Sequence, residues 1–263
     1  MDLAKCSALV NGGAGGLGGA SARRLAELGV GVVVFDPDGD RARALSREIG
    51  GRAIAVAGDQ VVDADVEVAI DLANTLGVFS ICVNAAGALL STPATADADG
   101  RPHDMALFEA MVRMHVFGPF NVSRLSAAAF ARNMPDADGQ RGVIINTAST
   151  AAFDGQARQA AYAASKGAIA SMTPAMARDL AAIGVRVCAI APGPIMTPRL
   201  GAAPPELQAQ LIADVAFPKR LGRPEEFGML VEAIVRNPFL NGQVIRLDGA
   251  MSTRLAAIGA PSR

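Results

Sequence analysis

The stretch Ala8-Leu9-Val10-Asn11-Gly12-Gly13-Ala14-Gly15-Gly16-Leu17-Gly18-Gly19 decides how the rest of the chain is read. An apolar run enters a series of glycines, and apolar residues then recur at helical spacing from Leu17 to Leu28. A strand that turns sharply into a helix leaves backbone N–H groups at the helix N-terminus, where the macrodipole favours an anion. Glycines suit that turn because they tolerate positive φ and let a pyrophosphate approach the backbone. The run fits G-x-G-x-x-G through Gly13, Gly15 and Gly18, and G-x-x-x-G-x-G through Gly12, Gly16 and Gly18. A glycine run alone is a weak signal. Its place directly after a first strand gives it weight.

Downstream, β-rich apolar runs alternate with helical patterns. Strands are expected at Ser7–Asn11, Val30–Asp36, Ala53–Ala57, Phe79–Asn84, Gly142–Thr147, Val185–Ile190 and Gln243–Leu247. Helices are expected at Leu17–Leu28, Asp40–Ile49, Asp63–Leu76, Asp104–Arg132, Ala160–Ala182 and Pro224–Arg236. Several strands are apolar at consecutive positions, as strands covered on both faces must be. The pattern implies an α/β chain: a single-domain, Rossmann-type, doubly wound parallel sheet of about seven strands with helices on both faces. Two segments stand outside it. Ser91–Pro102 is rich in turn-forming residues and is expected to be a surface loop. The proline-rich segment 194–217, with a short helical stretch inside it, follows the sixth strand and is expected to cover a substrate as a lid.

Composition narrows the function. Apolar residues make up 51% of the 263, enough for a large core, and the net charge of −1 offers no electrostatic footprint for nucleic acid or an anionic membrane. The apolar runs are strand-sized, too short to span a bilayer. Cys6, Cys82 and Cys188 lie far apart within or beside apolar runs and are expected to be buried thiols. The two histidines, His103 and His115, suggest no metal cluster. With no room for a leader before the first strand, the chain is expected to be soluble and cytoplasmic.

A candidate reactive group emerges from Tyr162 and Lys166, four residues apart in a helical stretch and so on one face. Ser149 follows the fifth strand, at the same sheet edge as the glycine run. A neighbouring ammonium favours the phenolate of a tyrosine, which is otherwise a poor base at neutral pH. Tyr162 is then suited to exchange a proton with a substrate oxygen, while the Ser149 hydroxyl stabilises charge on that oxygen. Tyr162 is the single tyrosine of the chain, beside ten phenylalanines. Asp36 ends the second strand where a carboxylate can accept from an adenine ribose and repel a 2′-phosphate, favouring NAD over NADP. It also opens the turn Asp36-Pro37-Asp38-Gly39, and Arg41 and Arg43 stand nearby.

With these residues assembled, the whole chain resembles a short-chain dehydrogenase/reductase. The carrying motifs are Gly12/Gly16/Gly18, Asp59, Asn84-Ala85-Ala86-Gly87, Ser149, Tyr162, Lys166 and Pro192-Gly193. Within that family it resembles the type II 3-hydroxyacyl-CoA dehydrogenases, through residues 142–149, 178–186 and 237–249. The resemblance implies NAD as cofactor, bound by Gly12, Gly16, Leu17, Gly18 and Asp36. Asp59 and Gln60 would lie by the adenine, Asn84, Ala85 and Gly87 by the ribose, and Pro192, Gly193 and Thr197 by the nicotinamide, with Tyr162 and Lys166 also touching the cofactor. It further implies Ser149, Gln156 and Tyr162 facing an acyl-CoA or other secondary-alcohol substrate, and a homotetramer. The alternatives are dehydrogenation of another alcohol such as a hydroxysteroid, reduction of a 3-oxoacyl carrier protein, or a non-catalytic nucleotide-binding scaffold.

Three features depart from the family pattern or go beyond it. His115 stands where the family has an asparagine whose main-chain carbonyl relays a proton through water to the lysine. Pro119, four residues on, has no N–H for the His115 carbonyl, so that carbonyl is expected to be left for a water. Gln60 stands where the family tends to be apolar. Lys219, Arg220 and Arg223 follow the expected lid, either to meet CoA phosphates or as surface charges.

Overall fold

Alternation along each strand builds the two faces of the molecule. The computed structural model describes residues 1–87 and 93–252. Its strands are β1 (Cys6–Asn11), β2 (Gly31–Asp36), β3 (Ala53–Ala57), β4 (Val78–Asn84), β5 (Gly142–Thr147), β6 (Val185–Pro192) and β7 (Val244–Leu247). All pair in parallel in the order β3-β2-β1-β4-β5-β6-β7. The helices are α1 (Gly16–Glu27), α2 (Gly39–Ile49), α3 (Asp63–Leu76), α4 (Met105–Val112), α5 (Gly118–Phe130), α6 (Ala160–Leu180), α7 (Pro198–Gly201), α8 (Pro205–Asp214) and α9 (Pro224–Arg236). Ala8 and Val10 of β1 pack with Leu25 of α1, Leu45 of α2 and Phe227 of α9. Leu9, between them, packs on the other face with Val66 of α3, Val122 of α5 and Met176 of α6. The chain is the doubly wound Rossmann-type sheet that the alternation implies.

The sheet order reverses between β1 and β4, and ligands of such sheets bind in the crevice beyond the strand ends at that point. The glycine turn fills the β1 side of it. Gly12 has φ +71, and a side chain there would collide with the backbone of Ala86 after β4. A methyl on Gly18 would strike the Gly12 carbonyl. These contacts set the start of α1 close under the strand ends, next to the crevice that Gly12 and Gly15 line.

Four differences from the sequence reading have physical reasons. The long helix expected over Asp104–Arg132 is divided: α4 gives way to a π-turn over Arg113–Phe117 before α5. There the Gly118 N–H donates to the Arg113 carbonyl, five residues back. Pro119, with no N–H, falls where the regular ladder would resume. β6 runs two residues past Ile190 because Ala191 and Pro192 pair with Arg246 and Leu247. β7 is correspondingly short. The segment 194–217 holds two helices, α7 and α8, where one short stretch was expected. Residues 91 and 92 of the expected Ser91–Pro102 loop lie outside the described residues. From 93 onward it is non-helical, with Ala96 bridged to Pro102.

Cys6, Cys82 and Cys188 are buried free thiols, and burial pushes Cys82 up to about 12. No described helix is long and apolar enough to cross a membrane.

The close approach at Gly18 predicts that Gly18→Ala lowers stability by about 1–3 kcal/mol, as overpacking does. Chemical denaturation measures it. An unchanged midpoint would mean that the loop can move aside.

Candidate active site

Three asparagines stand at or one residue before the ends of neighbouring strands in register: Asn11 opposite Asn84, and Asn84 opposite Asn146. Asn11 Nδ2 donates to Asn84 Oδ1 at 3.0 Å, and Asn84 Nδ2 donates to Asn146 Oδ1 at 2.8 Å and to Ser123 Oγ at 3.0 Å. All three are buried. The Asn84 side chain therefore faces the interior, and the residues that follow it, Ala85, Ala86 and Gly87, line the crevice. Asn11 and Asn146 were not singled out by sequence reasoning. The available signal was that β1, β4 and β5 each carry an asparagine after an apolar run, Val10-Asn11, Val83-Asn84 and Ile145-Asn146.

On the β2 side of this ladder lies a cavity of about 510 Å³, lined by Gly12, Gly15, Asp36, Asp59, Gln60 and Ala85 among others. Its wall also takes Ala110, Arg113 and Met114, which sequence reasoning missed because they belong to the divided helix. Asp36 is buried; one carboxylate oxygen accepts from the Ala14 N–H at 3.1 Å and the other from the Asp38 N–H at 3.0 Å. Both readings of Asp36 thus coexist: it closes its own turn and borders the cavity, and each oxygen retains a further lone pair. Arg41 donates to the Ala14 carbonyl at 2.8 Å across the cavity mouth. Asp59 accepts from the Val61 N–H at 3.0 Å. A dinucleotide fits this arrangement on three counts: glycine positions where a Cβ has no room, helix-terminal amides, and a carboxylate at the end of β2. A larger groove of about 920 Å³ lies outside α1, but its cations Arg23 and Arg24 are paired with Glu48, Glu27 and Glu232. Thr197 faces this groove and packs against Gly16; Leu17 packs against the core.

On the β5–β6 side, Ser149 and Tyr162 line a second cleft of about 180 Å³ with Gln156, Pro192 and Gly193. Leu200 of α7 and Leu211 of α8 close one wall. Ser149 caps a short 3-10 turn, its Oγ accepting from the Ala151 N–H at 3.2 Å. Lys166 is buried one helical turn beyond Tyr162, its Nζ 5.8 Å from the Tyr162 ring centroid and donating to the Thr147 carbonyl at 2.8 Å. The buried His115 ring meets the Tyr162 ring edge-on at 5.4 Å and lies against Gly87, where a Cβ would overlap it.

Burial raises the Tyr162 phenol above its ordinary value, and the Ser149 hydroxyl and the Arg199 charge pull the other way without prevailing. Lys166 does not lower it in the protein alone, because the same burial pushes the ammonium down to about 7. Both groups are driven toward neutrality. Lys219 and Arg220 are engaged within the fold, Lys219 donating to the Val215 carbonyl at 2.5 Å and Arg220 pairing with Glu226 at 2.6 Å. Arg223 is exposed at the start of α9.

Comparison with known proteins adds the family. Residues 7–207 match the short chain dehydrogenase family. The 3-hydroxyacyl-CoA dehydrogenase type-2 of Homo sapiens is 45% identical over 245 residues, 93% of this chain and 94% of that one. The crystal structure of 3-hydroxyacyl-CoA dehydrogenase type-2 from Mycobacterium avium superposes with a TM-score of 0.93 at 41% identity, covering 95% of this chain and 97% of that one. A 7α-hydroxysteroid dehydrogenase complexed with NADH and 7-oxo glycochenodeoxycholic acid gives a TM-score of 0.82 at 28% identity, covering 97% and 98%.

The depressed Lys166 predicts a pH trend. Between about 7 and its ordinary value near 10.4 the unfolded chain binds the extra proton. The cost of burying this lysine is therefore full below that window and is relieved as pH rises through it. Denaturation of the wild type and Lys166→Met at successive pH values should show the wild type gaining relative to the variant. A constant difference would contradict the depressed value.

Proposed function

The chain belongs to the short-chain dehydrogenase family, and on that premise we propose that it interconverts a 3-hydroxyacyl-CoA and its 3-oxoacyl-CoA with NAD(H). The observation that carries this reading is the placing of Ser149 and Tyr162 together on one small cleft with Pro192 and Gly193 after β6. The similarity to the type-2 dehydrogenases supports the acyl-CoA class.

The residues divide the work. Gly12, Gly16, Leu17 and Gly18 form the pyrophosphate turn, and Asp36 holds the adenine ribose and repels a 2′-phosphate, so NAD is used in preference to NADP. Asp59 and Gln60 border the adenine, Ala85 and Gly87 the ribose, and Pro192, Gly193 and Thr197 the nicotinamide, while Asn84 holds its strand end from within. Held there, NAD would supply the hydride acceptor for the C3 carbon in oxidation and the hydride donor in reduction. Tyr162 takes the hydroxyl proton in oxidation and gives it back in reduction. Ser149 donates a hydrogen bond to the same oxygen, and Gln156 borders the acyl group. Lys166 lies close enough to stabilise the phenolate once it is itself charged. The same phenolate would be favoured further by the positive charge of an oxidised nicotinamide. The π-turn at His115 and Pro119 supplies the relay that refills Lys166 with a proton through the His115 carbonyl and a water. Residues 194–217 act as a lid over the cleft, on one compact domain that works as a soluble, cytoplasmic homotetramer.

Acetoacetyl-CoA with NADH should be reduced, as followed by NADH absorbance. NADPH should serve poorly, and Tyr162→Phe should lose at least about 100-fold in turnover. Absence of turnover in the wild type despite tight NADH binding would overturn the substrate. Full activity of Tyr162→Phe would overturn the proton donor.

A further inference from the structure

A π-turn displaces a hydrogen bond, and the displaced partner must be satisfied elsewhere. In a regular helix the Gly118 N–H would donate to the Met114 carbonyl; here it donates to Arg113 instead. The Met114 carbonyl accepts from Gln60 Nε2 at 2.8 Å. At its other end, Gln60 Oε1 accepts from Asn11 Nδ2 at 2.8 Å, and its backbone carbonyl accepts from Asn121 Nδ2 at 3.1 Å. A Cβ on Gly118 would collide with the Gln60 side chain, so the glycine leaves the room the amide uses. On the far side of the turn, the Pro119 carbonyl accepts from Asn84 Nδ2 at 3.3 Å. The asparagine ladder therefore grips both flanks of the π-turn, through Gln60 before His115 and through Asn84 after it.

We propose that Gln60 is a positioning residue that extends the asparagine ladder to the π-turn and thereby holds His115 against Tyr162. It rests on the reading of Tyr162 as the proton-exchanging group. Both atoms of the amide are needed, since the oxygen takes the Asn11 donor and the nitrogen supplies the Met114 carbonyl. An apolar residue at this position would satisfy neither. Gln60 also lines the cavity beside Asp59, so the residue that borders the adenine side braces the turn beneath the tyrosine. This coupling belongs to the polar side chain of this chain and not to the glycine turn.

The test compares Gln60→Leu, which loses both contacts, with Gln60→Glu, which keeps the acceptor for Asn11 but as a carboxylate cannot donate to Met114. Amide hydrogen exchange over residues 113–120 should accelerate in both variants, whatever the substrate proves to be. In acetoacetyl-CoA reduction at saturating NADH, kcat should fall by about 10- to 100-fold, the scale of a small misplacement in an active site. The ratio of Gln60→Glu to wild type should recover as pH falls and the carboxyl becomes a donor; that of Gln60→Leu should stay flat. The charged groups around the same cavity, Asp36, Arg41, Asp59 and Arg113, are common to all three proteins and cancel in the ratio. Unchanged exchange would overturn the proposal. So would a change confined to NADH affinity with kcat and its pH profile intact, or a Gln60→Glu that matches wild type at neutral pH. If the wild type itself fails to reduce acetoacetyl-CoA, the substrate reading falls, and hydrogen exchange alone decides the role of Gln60.

Discussion

Asn11, Asn84 and Asn146 stand side by side near the ends of three parallel strands, and each carries polar atoms into a place that water barely reaches. A buried amide left without partners costs about 1–3 kcal/mol, so the ladder forces its neighbours into set positions. Ser123 and the Pro119 carbonyl turn inward to meet Asn84, and Gln60 reaches over to Asn11. The entrance to the glycine turn, the start of α5 and the end of β5 are thereby tied together at one edge. The cavity of Asp36 and Asp59 and the cleft of Ser149 and Tyr162 lie on its two sides.

The same burial governs the chemistry. It raises the Tyr162 phenol and lowers the Lys166 ammonium, so the ionised form of each is disfavoured by the same desolvation. Ser149 and the Arg199 charge already lean against that tendency at Tyr162. A site balanced in this way is sensitive to any charge brought beside it, and a cationic ring supplies one only in the oxidised state of the cofactor.

Much of the framework was legible because strong local signals coincide with element ends. Asp63 and Asp65 open α3, and Pro224 with Glu225 and Glu226 opens α9; both helices occupy the residues expected for them. The glycine turn and Asp36 fall at the crevice, and Ser149 and Tyr162 at the neighbouring cleft with Lys166 buried behind, because chain alternation and sheet order put them at one sheet edge. The π-turn was only half legible. Pro119 and the unusual His115 marked its place, but the apolar pattern of residues 104–132 runs through without a break. Where Gln60 reaches was not legible at all, since its partner Met114 is a backbone carbonyl 54 residues away in sequence. Periodicity describes faces of elements and is silent on which orphaned carbonyl a distant amide will meet. The depressed Lys166 also escaped the sequence reading, because desolvation is a property of the packed site and not of the Y-x-x-x-K spacing.

Tyr162 is the only tyrosine and the chain has no tryptophan, so the tyrosinate absorbance band reports this one group without labels or substitutions. We would titrate it in the protein alone and again with saturating NAD⁺. The account predicts ionisation above the ordinary value of about 10 in the protein alone and a clear fall when NAD⁺ is present. Ionisation at or below that value in the protein alone, with no movement on adding NAD⁺, would contradict the central claim that burial holds this tyrosine neutral until the oxidised cofactor arrives.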